Sequence, residues 1–143
     1  MKVVLYKNKE WLFSQEAFFI YSSCMYQPTY GEYRKIMEQF ISEPYIKIFV
    51  CEVNNREEGI LVLDKRTSHS EIIGIAVSEN CRRNGIGRYM IQQVMDLVQL
   101  EVLFAQTDDD AVDFYRRCGF TVETEVKEYP DGAVNRYNCE LKK

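Results

Sequence analysis

Hydrophobic positions along the chain follow two periods, and the helical period predicts four helices. An aromatic-rich helix is expected over Trp11–Met25 and a second one over Gly31–Ile41, each followed by a proline. A fourth, short helix over Ala111–Cys118 follows an aspartate run that can cap it, and a glycine ends it. The third helix begins after a glycine-rich loop, and its apolar stripe comprises Ile86, Met90, Ile91, Val94, Leu97 and Val98.

Strand patterns occupy the start and the centre of the chain. Met1–Tyr6 is the first strand, and three further strands are joined by short polar turns, 54–59 and 66–70. Such short turns predict antiparallel pairing. The last of the three strands scarcely alternates, so we expect it to be central and buried on both faces. The three strands are Tyr45–Val53, Ile60–Lys65 and Glu71–Val77.

The second half of the chain completes a mixed sheet. Val102–Gln106 follows the third helix, and this strand–helix–strand spacing predicts that it runs parallel to Glu71–Val77. Two alternating segments, 120–129 and 135–143, are separated by a Pro-Asp-Gly turn and form a hairpin. The expected fold class is α+β. It is a mixed, mainly antiparallel sheet with a parallel pair in the middle and about four flanking helices, and residues 1–143 form a single domain.

Composition narrows the classes of function. The formal net charge of −4 argues against nucleic acid as a partner, and no apolar run reaches the length of a membrane span. The first apolar run is too short for a signal peptide, so we expect a cytoplasmic protein. The five cysteines are widely spaced, only one histidine is present, and no zinc pattern can be drawn, so no metal is expected.

The segment Arg82–Arg88 concentrates positive charge and glycine between a strand and a helix. The N-terminus of a helix presents unpaired N–H groups, and glycines allow the backbone to approach an anion or to adopt a positive φ. With three arginines beside them, Gly85 and Gly87 indicate a site for a pyrophosphate. The dinucleotide-binding fingerprint fails because Met90 occupies its third glycine position, and no P-loop is present.

Two motifs resemble those of the GNAT superfamily, the Gcn5-related N-acetyltransferases. The pattern R-x-x-G-x-G at Arg82–Gly87 is similar to the acetyl-CoA loop of that family. A second match, A-x-x-F-Y-x-x-x-G-F from Ala111 to Phe120, is similar to its second cofactor segment. The resemblance implies a splayed parallel strand pair, acetyl-CoA as the cofactor, and transfer of its acetyl group to a primary amine of a small molecule or peptide.

The resemblance also implies which residues hold the cofactor. The strand end would offer backbone groups to the pantetheine arm, and the loop would hold the pyrophosphate. Gly74 fits either a bulge that opens the strand pair or room for an aromatic neighbour. Many family members have asparagine where this chain has Asp108, which places a direct contact between Asp108 and the phosphates in question. The implied residues are Ile75, Ala76, Val77, Arg82, Arg83, Asn84, Gly85, Ile86, Gly87, Arg88, Asp108 and Tyr115.

Tyr115 and Glu71 are the catalytic residues that the resemblance implies. Tyr115 matches the tyrosine that protonates the leaving thiolate, and the backbone amide of Val77 would polarise the thioester carbonyl. Glu71 matches a glutamate that serves as general base in some members, a role that burial among apolar neighbours would support. His69 is the second candidate for the general base. A third possibility is that no strong base is needed, because a fraction of the amine is already unprotonated at neutral pH.

The acceptor and the partners stay open at this level. In this family the acceptor pocket is formed by the N-terminal helices and the C-terminal hairpin, so the aromatic segment Ala17–Tyr33 either lines it or packs in the core. Many relatives dimerise, so a homodimer is one expected assembly. The alternative functions are a non-catalytic acyl-CoA-binding sensor on the same fold and an interaction domain that binds no CoA.

Overall fold

A seven-stranded mixed sheet is the centre of the structure, a computed structural model that describes residues 1–6, 8–66 and 69–143. The strands are β1 (Lys2–Leu5), β2 (Ile46–Val53), β3 (Arg56–Asp64), β4 (Ser70–Val77), β5 (Val102–Thr107), β6 (Thr121–Tyr129) and β7 (Gly132–Lys142). The helices in the described residues are α1 (Lys9–Leu12), α2 (Gln15–Tyr21), α3 (Tyr30–Ser42), α4 (Ile86–Val98) and α5 (Val112–Arg117). Short 3₁₀ turns lie at Ser22–Cys24 and Glu79–Cys81.

The strand order β1-β2-β3-β4-β5-β7-β6 confirms the expected fold class. β1 to β4 pair antiparallel in chain order, β4 and β5 pair parallel, and the β6–β7 hairpin pairs antiparallel with β5 through β7. Antiparallel neighbours need only short turns, whereas the parallel pair needs the crossover that α4 supplies.

The parallel pair is splayed, as the resemblance implies. β4 and β5 are paired only from Ser70 to Ile72, opposite Leu103 to Ala105, although β4 continues to Val77. A bulge in β4 lies at the point of separation, because Leu63 faces Ile72 while the preceding residue of β3 already faces Gly74. Beyond Ile72 the strands therefore leave a gap, and the edge of β4 toward β5 has no strand partner.

Two hydrophobic clusters cover the two faces of the sheet. On one face, α4 and α5 pack on the strands through residues such as Met90, Ile91 and Tyr115. On the other face, α1 to α3 pack through Leu12, Tyr33 and other residues. α4 differs from its predicted stripe, because Leu97 is 55% exposed and Met95 is buried with Met90, Ile91 and Val94.

The predicted first helix is interrupted in the structure. α1 ends at Leu12, and Ser14 begins α2 as its N-cap, with its hydroxyl accepting a hydrogen bond from the Ala17 amide at 3.1 Å. The same hydroxyl donates to the Trp11 carbonyl at 2.6 Å. Serine competes for backbone groups in this way, and the hydrophobic period alone does not reveal it.

The turns of the central hairpins differ from the prediction as well. The first turn is only Asn54–Asn55, with φ of 51° and 64°, so β3 begins earlier than expected, at Arg56. Positive φ at both residues is typical of a two-residue type I′ turn, for which asparagine is favoured. The predicted turn 66–70 includes Thr67 and Ser68, which lie outside the described residues.

The prediction that β4 is buried on both faces is wrong. Its residues alternate between buried and more exposed positions, and Ile73 is 41% exposed. Ile73 lies where β4 has separated from β5, so a gap and a pocket adjoin its side chain in place of a neighbouring strand.

Candidate active site

The start of α4 presents backbone N–H groups that no side chain caps. Gly85 is the N-cap residue with φ of +75°, and no side-chain hydrogen bond caps this end of the helix. In the left-handed region a side chain would add strain, so glycine suits this position. Arg82, Arg83 and Arg88 are exposed around it. Uncapped amides, the helix dipole and three cations are together features that suit the binding of an anion.

Gly87 has a different role from the one predicted. It lies inside α4, is buried and has no positive φ. A Cβ at Gly87 would lie 2.8 Å from Cε1 of the Phe114 ring, so its small size allows Phe114 to pack against α4. The second residue of this loop with a positive φ is Arg83, at +67°.

The edge of β4 directs the backbone amides and carbonyls of two residues toward the gap. The Ser78 amide donates to the Glu58 carbonyl at 2.8 Å, so Ser78 and, two residues before it, Ala76 direct their backbone groups toward β3. Ile75 and Val77 therefore face the gap. Ala76, one of the predicted cofactor residues, contributes instead a buried side chain to the α1–α3 face.

Side chains already occupy the two carbonyls at this edge. The Arg82 Nε donates to the Val77 carbonyl at 3.1 Å, which ties the loop to the strand end. The Cys24 thiol donates to the Ile75 carbonyl at 3.0 Å from the opposite face of the sheet. The gap thus lies between residues 82–85, which we call the arginine loop, and the segment after α2.

Tyr115 lies on α5 with its ring between two other aromatic rings. Phe114 and Phe120 both approach it edge-on with ring centroids at 5.2 Å. The residue is 6% exposed, and its burial raises the pKa of the phenol. Three cysteines and Glu71 raise this pKa by smaller amounts. All buried side-chain oxygens among the described residues have a hydrogen-bond partner, yet the Tyr115 hydroxyl has none, so it contacts solvent.

Asp108 organises the entry to α5. Its Oδ1 accepts hydrogen bonds from the amides of Asp110, at 3.0 Å, and Ala111, at 3.2 Å. The N-cap residue of α5 is Ala111, with no side-chain hydrogen bond, so the prediction that the aspartate run caps the helix is wrong. One carboxylate oxygen of Asp108 is thereby committed to its own loop.

Glu71 and His69 lie at the start of β4. Glu71 is exposed, opposite Phe104 of β5, so the apolar burial that would support its role as a base is not seen. Because the next residue, Ile72, packs in the same cluster as Tyr115, the Glu71 side chain points to the opposite face of the sheet. His69 is exposed, and its ring meets Phe104 edge-on at 5.1 Å.

A pocket of about 320 Å³, which we call the α3 pocket, opens on the other side of β4. The predicted aromatic segment contributes both to it and to the core, because Tyr21 lines the pocket while Ala17 and Tyr33 are buried. Cys24 lies within the segment predicted as a possible pocket lining, whereas Ile73 was not predicted as a lining residue, and the neighbouring Gly74 was the sequence signal next to it. The pocket is lined by Tyr21, Cys24, Met25, Tyr26, Glu32, Ile36, Phe40 and Ile73.

Two other features are absent from the part of the chain that the structure describes. No group of three His, Cys, Asp or Glu side chains could hold a metal ion. No helix there has the length and apolar character needed to span a membrane.

Comparison with known proteins identifies a family. A family model described as an acetyltransferase (GNAT) domain matches residues 44–122, which include β4, the arginine loop, α4 and α5. No curated protein matches the chain.

Several solved structures share the fold. The ribosomal-protein-S18-alanine N-acetyltransferase from Escherichia coli has a TM-score of 0.72 at 13% identity, over 99% of this chain and 92% of that one. A Streptococcus mutans protein gives 0.76 at 20% identity, over 99% of both chains. A Bacillus subtilis acetyltransferase in complex with CoA gives 0.70 at 14% identity, over 99% and 98%. At these identities the likeness shows the fold.

Proposed function

The chain belongs to the GNAT acetyltransferase family, acetyl-CoA is its cosubstrate, and we propose that it transfers the acetyl group to the nitrogen of a primary amine. The family match confirms the resemblance found in the two sequence motifs. The observation that carries the proposal is the gap beside β4. The uncapped start of α4 and Tyr115 lie on one side of the sheet, and the α3 pocket opens on the other.

The residues around the gap fit acetyl-CoA, which supplies the acetyl group as an activated thioester. The amides at the start of α4, after Gly85, and the guanidinium groups of Arg82, Arg83 and Arg88 suit its pyrophosphate in charge and hydrogen-bonding capacity. The edge of β4 at Ile75 and Val77 suits an extended, amide-containing arm, because the amides of both residues face the gap and can donate to carbonyls of such an arm. Asn84, Ile86 and Gly87 belong to the same loop and helix start.

Tyr115 is proposed as the general acid. Its raised pKa keeps the phenol protonated at neutral pH, so the proton is in place for a departing thiolate. The hydroxyl contacts solvent, whereas the ring is fixed by Phe114 and Phe120. A fixed donor of this kind acts without reorganisation.

Glu71 is proposed to receive the amine proton through water. It is exposed and lies two residues before Ile73, which lines the α3 pocket, so a water chain rather than a direct contact suits it. The Val77 amide, at the unpaired edge of β4, is proposed to polarise the acyl carbonyl.

Tyr115→Phe tests the proposed acid. We expect kcat to fall about 100-fold, since a positioned general acid contributes on the order of 10²–10⁴, while the Kd for acetyl-CoA stays within about twofold because the ring remains. Thiol release with an amine panel and calorimetry with acetyl-CoA measure the two quantities. Tyr129→Phe, at a half-exposed tyrosine of the terminal hairpin, is the matched control.

The outcomes separate the proposal from its alternatives. An unchanged kcat in Tyr115→Phe would show that another group donates the proton. Tight binding of acetyl-CoA without transfer to any amine would indicate a sensor rather than an enzyme. Absence of binding would contradict both.

A further inference from the structure

The α3 pocket has a lining that selects by polarity and charge. Six of its eight lining residues are apolar or aromatic, and Glu32 is the one charged residue among the described residues that line it. We propose, on the basis of the proposed function, that the acceptor is a small amine with an aromatic or branched apolar body and no carboxylate. The volume of the α3 pocket, about 320 Å³, lies at the small end of the range for ligand pockets.

The α3 pocket adjoins the edge of β4 where acetyl transfer is proposed, because Ile73, which lines the pocket, lies two residues before Ile75. The Cys24 thiol, which lines the pocket, donates to the Ile75 carbonyl at 3.0 Å. An amine in the pocket therefore lies next to the groups that face the gap.

The apolar body of the acceptor is selected by rigid rings and by Ile73. The Tyr21 ring packs edge-on against Phe40 with centroids 6.4 Å apart, and both rings line the pocket. Ile73 is 41% exposed although it lies on a central strand, so apolar surface is left there for a ligand to cover. Aromatic faces also attract an ammonium group, so the same rings favour a cation.

Glu32 supplies the charge selection. It lies in the first turn of α3, where its amide donates to Thr29 Oγ1 at 3.2 Å. Its carboxylate is 3.6 Å from Lys35 Nζ, but both side chains are exposed, at 61% and 76%, so this pair is weak and leaves the carboxylate available. A carboxylate at the pocket attracts an ammonium and repels the carboxylate of an amino acid.

The experiment compares 2-phenylethylamine, phenylalanine and spermidine. Calorimetry with protein saturated with CoA gives the Kd of each amine, and thiol release with acetyl-CoA gives kcat/KM. We expect 2-phenylethylamine to bind and to be acetylated with a kcat/KM at least tenfold above that of the other two. Phenylalanine has the same ring and adds a carboxylate, and spermidine has the amine without the apolar body.

Glu32→Gln and Glu38→Gln form a matched pair of variants. Both glutamates are exposed on α3, and each pairs with a basic residue of the same helix, but only Glu32 lines the α3 pocket. We expect Glu32→Gln to reduce the preference for 2-phenylethylamine over phenylalanine by about threefold to fivefold, the range of an exposed ion pair. Glu38→Gln should leave the preference unchanged.

The results distinguish failure of this inference from failure of the proposed function. Preferred transfer to spermidine, to phenylalanine or to the N-terminus of a peptide would overturn the inference and leave the N-acetyltransferase intact. Equal losses in the two glutamine variants would overturn the role of Glu32. No transfer to any amine, with acetyl-CoA still bound, would overturn the proposed function, and the inference would fall with it.

Discussion

At the scale of single residues, the contact between Gly74 and Tyr21 decides how the gap beside β4 is shaped. A Cβ at Gly74 would lie 2.1 Å from the Tyr21 hydroxyl oxygen and 2.8 Å from Cζ. The Tyr21 ring has little room to move, because Tyr33 and Phe40 hold it at centroid distances of 6.1 and 6.4 Å. The bulge at Ile73 and the absent side chain at Gly74 thus act together, so both alternatives considered for this glycine are correct.

We expect Gly74→Ala to lower the free energy of unfolding by about 1–3 kcal/mol, the usual cost of overpacking. Gly31→Ala is the matched control, because its Cβ would meet nothing within 4 Å and it lies inside α3. There alanine should raise the stability, by up to about 1 kcal/mol. Urea denaturation of the two variants and the parent measures both values.

Tyr21→Phe in the Gly74→Ala background identifies the cause. Since the hydroxyl is the closest atom, its removal should restore part of the lost stability, as a double-mutant cycle shows. Equal stabilities of Gly74→Ala and the parent would mean that Tyr21 moves at no cost, and the packing argument would be wrong.

At the scale of elements, local patterns predicted most of the fold, and long-range contacts account for the rest. The stripe of α4 and the β6–β7 hairpin depend on residues close in sequence, so their bounds agree with the prediction within a few residues. The exposure of Ile73 depends on where β5 leaves β4, and no local pattern contains that information. The split at Ser14 was missed because its hydroxyl, not its hydrophobicity, breaks the helix.

The site shows the same division. The left-handed Gly85 at the start of α4 agrees with the local motif, and the binding of a pyrophosphate by this residue and its arginines stays a prediction. The α3 pocket combines the segment after α2, one face of α3 and one residue of β4, which only the tertiary structure brings together. Gly87 was assigned to the loop by type, but Phe114, far along the chain, determines its role.

The loop that begins α4 yields a prediction at this scale. Gly85→Ala places a side chain at φ of +75°, which should cost about 1–2 kcal/mol of stability and shift the amides that are proposed to bind the pyrophosphate. Gly132→Ala imposes strain at φ of +128° in the terminal hairpin, away from that loop. Both variants should have a lower Tm, but only Gly85→Ala should bind acetyl-CoA more weakly in a thermal-shift titration. Equal acetyl-CoA affinities would contradict the proposed role of the loop.

At the scale of the whole molecule, the two cores bury many ionisable groups in their neutral forms. Tyr21, Tyr33 and Tyr115 are buried, and burial raises the pKa of each phenol above its usual value of 10.0. Burial likewise raises the pKa of the Cys51 and Cys118 thiols above 9.0. The folded chain therefore keeps protons that the unfolded chain releases at alkaline pH.

This difference predicts alkaline destabilisation with a defined onset. Below about pH 8 these groups are protonated in both states and add no slope to the stability. Above pH 10 the unfolded chain binds fewer protons than the folded chain, so the free energy of unfolding falls by about 1.4 kcal/mol per pH unit for each of the three phenols. The two thiols add a smaller decline that begins near pH 9. Urea denaturation under reducing conditions between pH 7.5 and pH 11 measures the decline.

Two tyrosine variants separate this effect from the titration of the surface. Tyr21→Phe removes a phenol whose pKa is raised by burial, so the decline above pH 10 should become shallower by about 1.4 kcal/mol per pH unit. Tyr26→Phe removes a phenol that is 90% exposed and should leave the slope as it was. Parallel curves for the parent and Tyr21→Phe would show that the Tyr21 hydroxyl, which lies in the wall of the α3 pocket, ionises as readily in the folded chain as in the unfolded one. That result would contradict burial as the cause of a raised pKa at the tyrosines around the gap, including the proposed acid Tyr115.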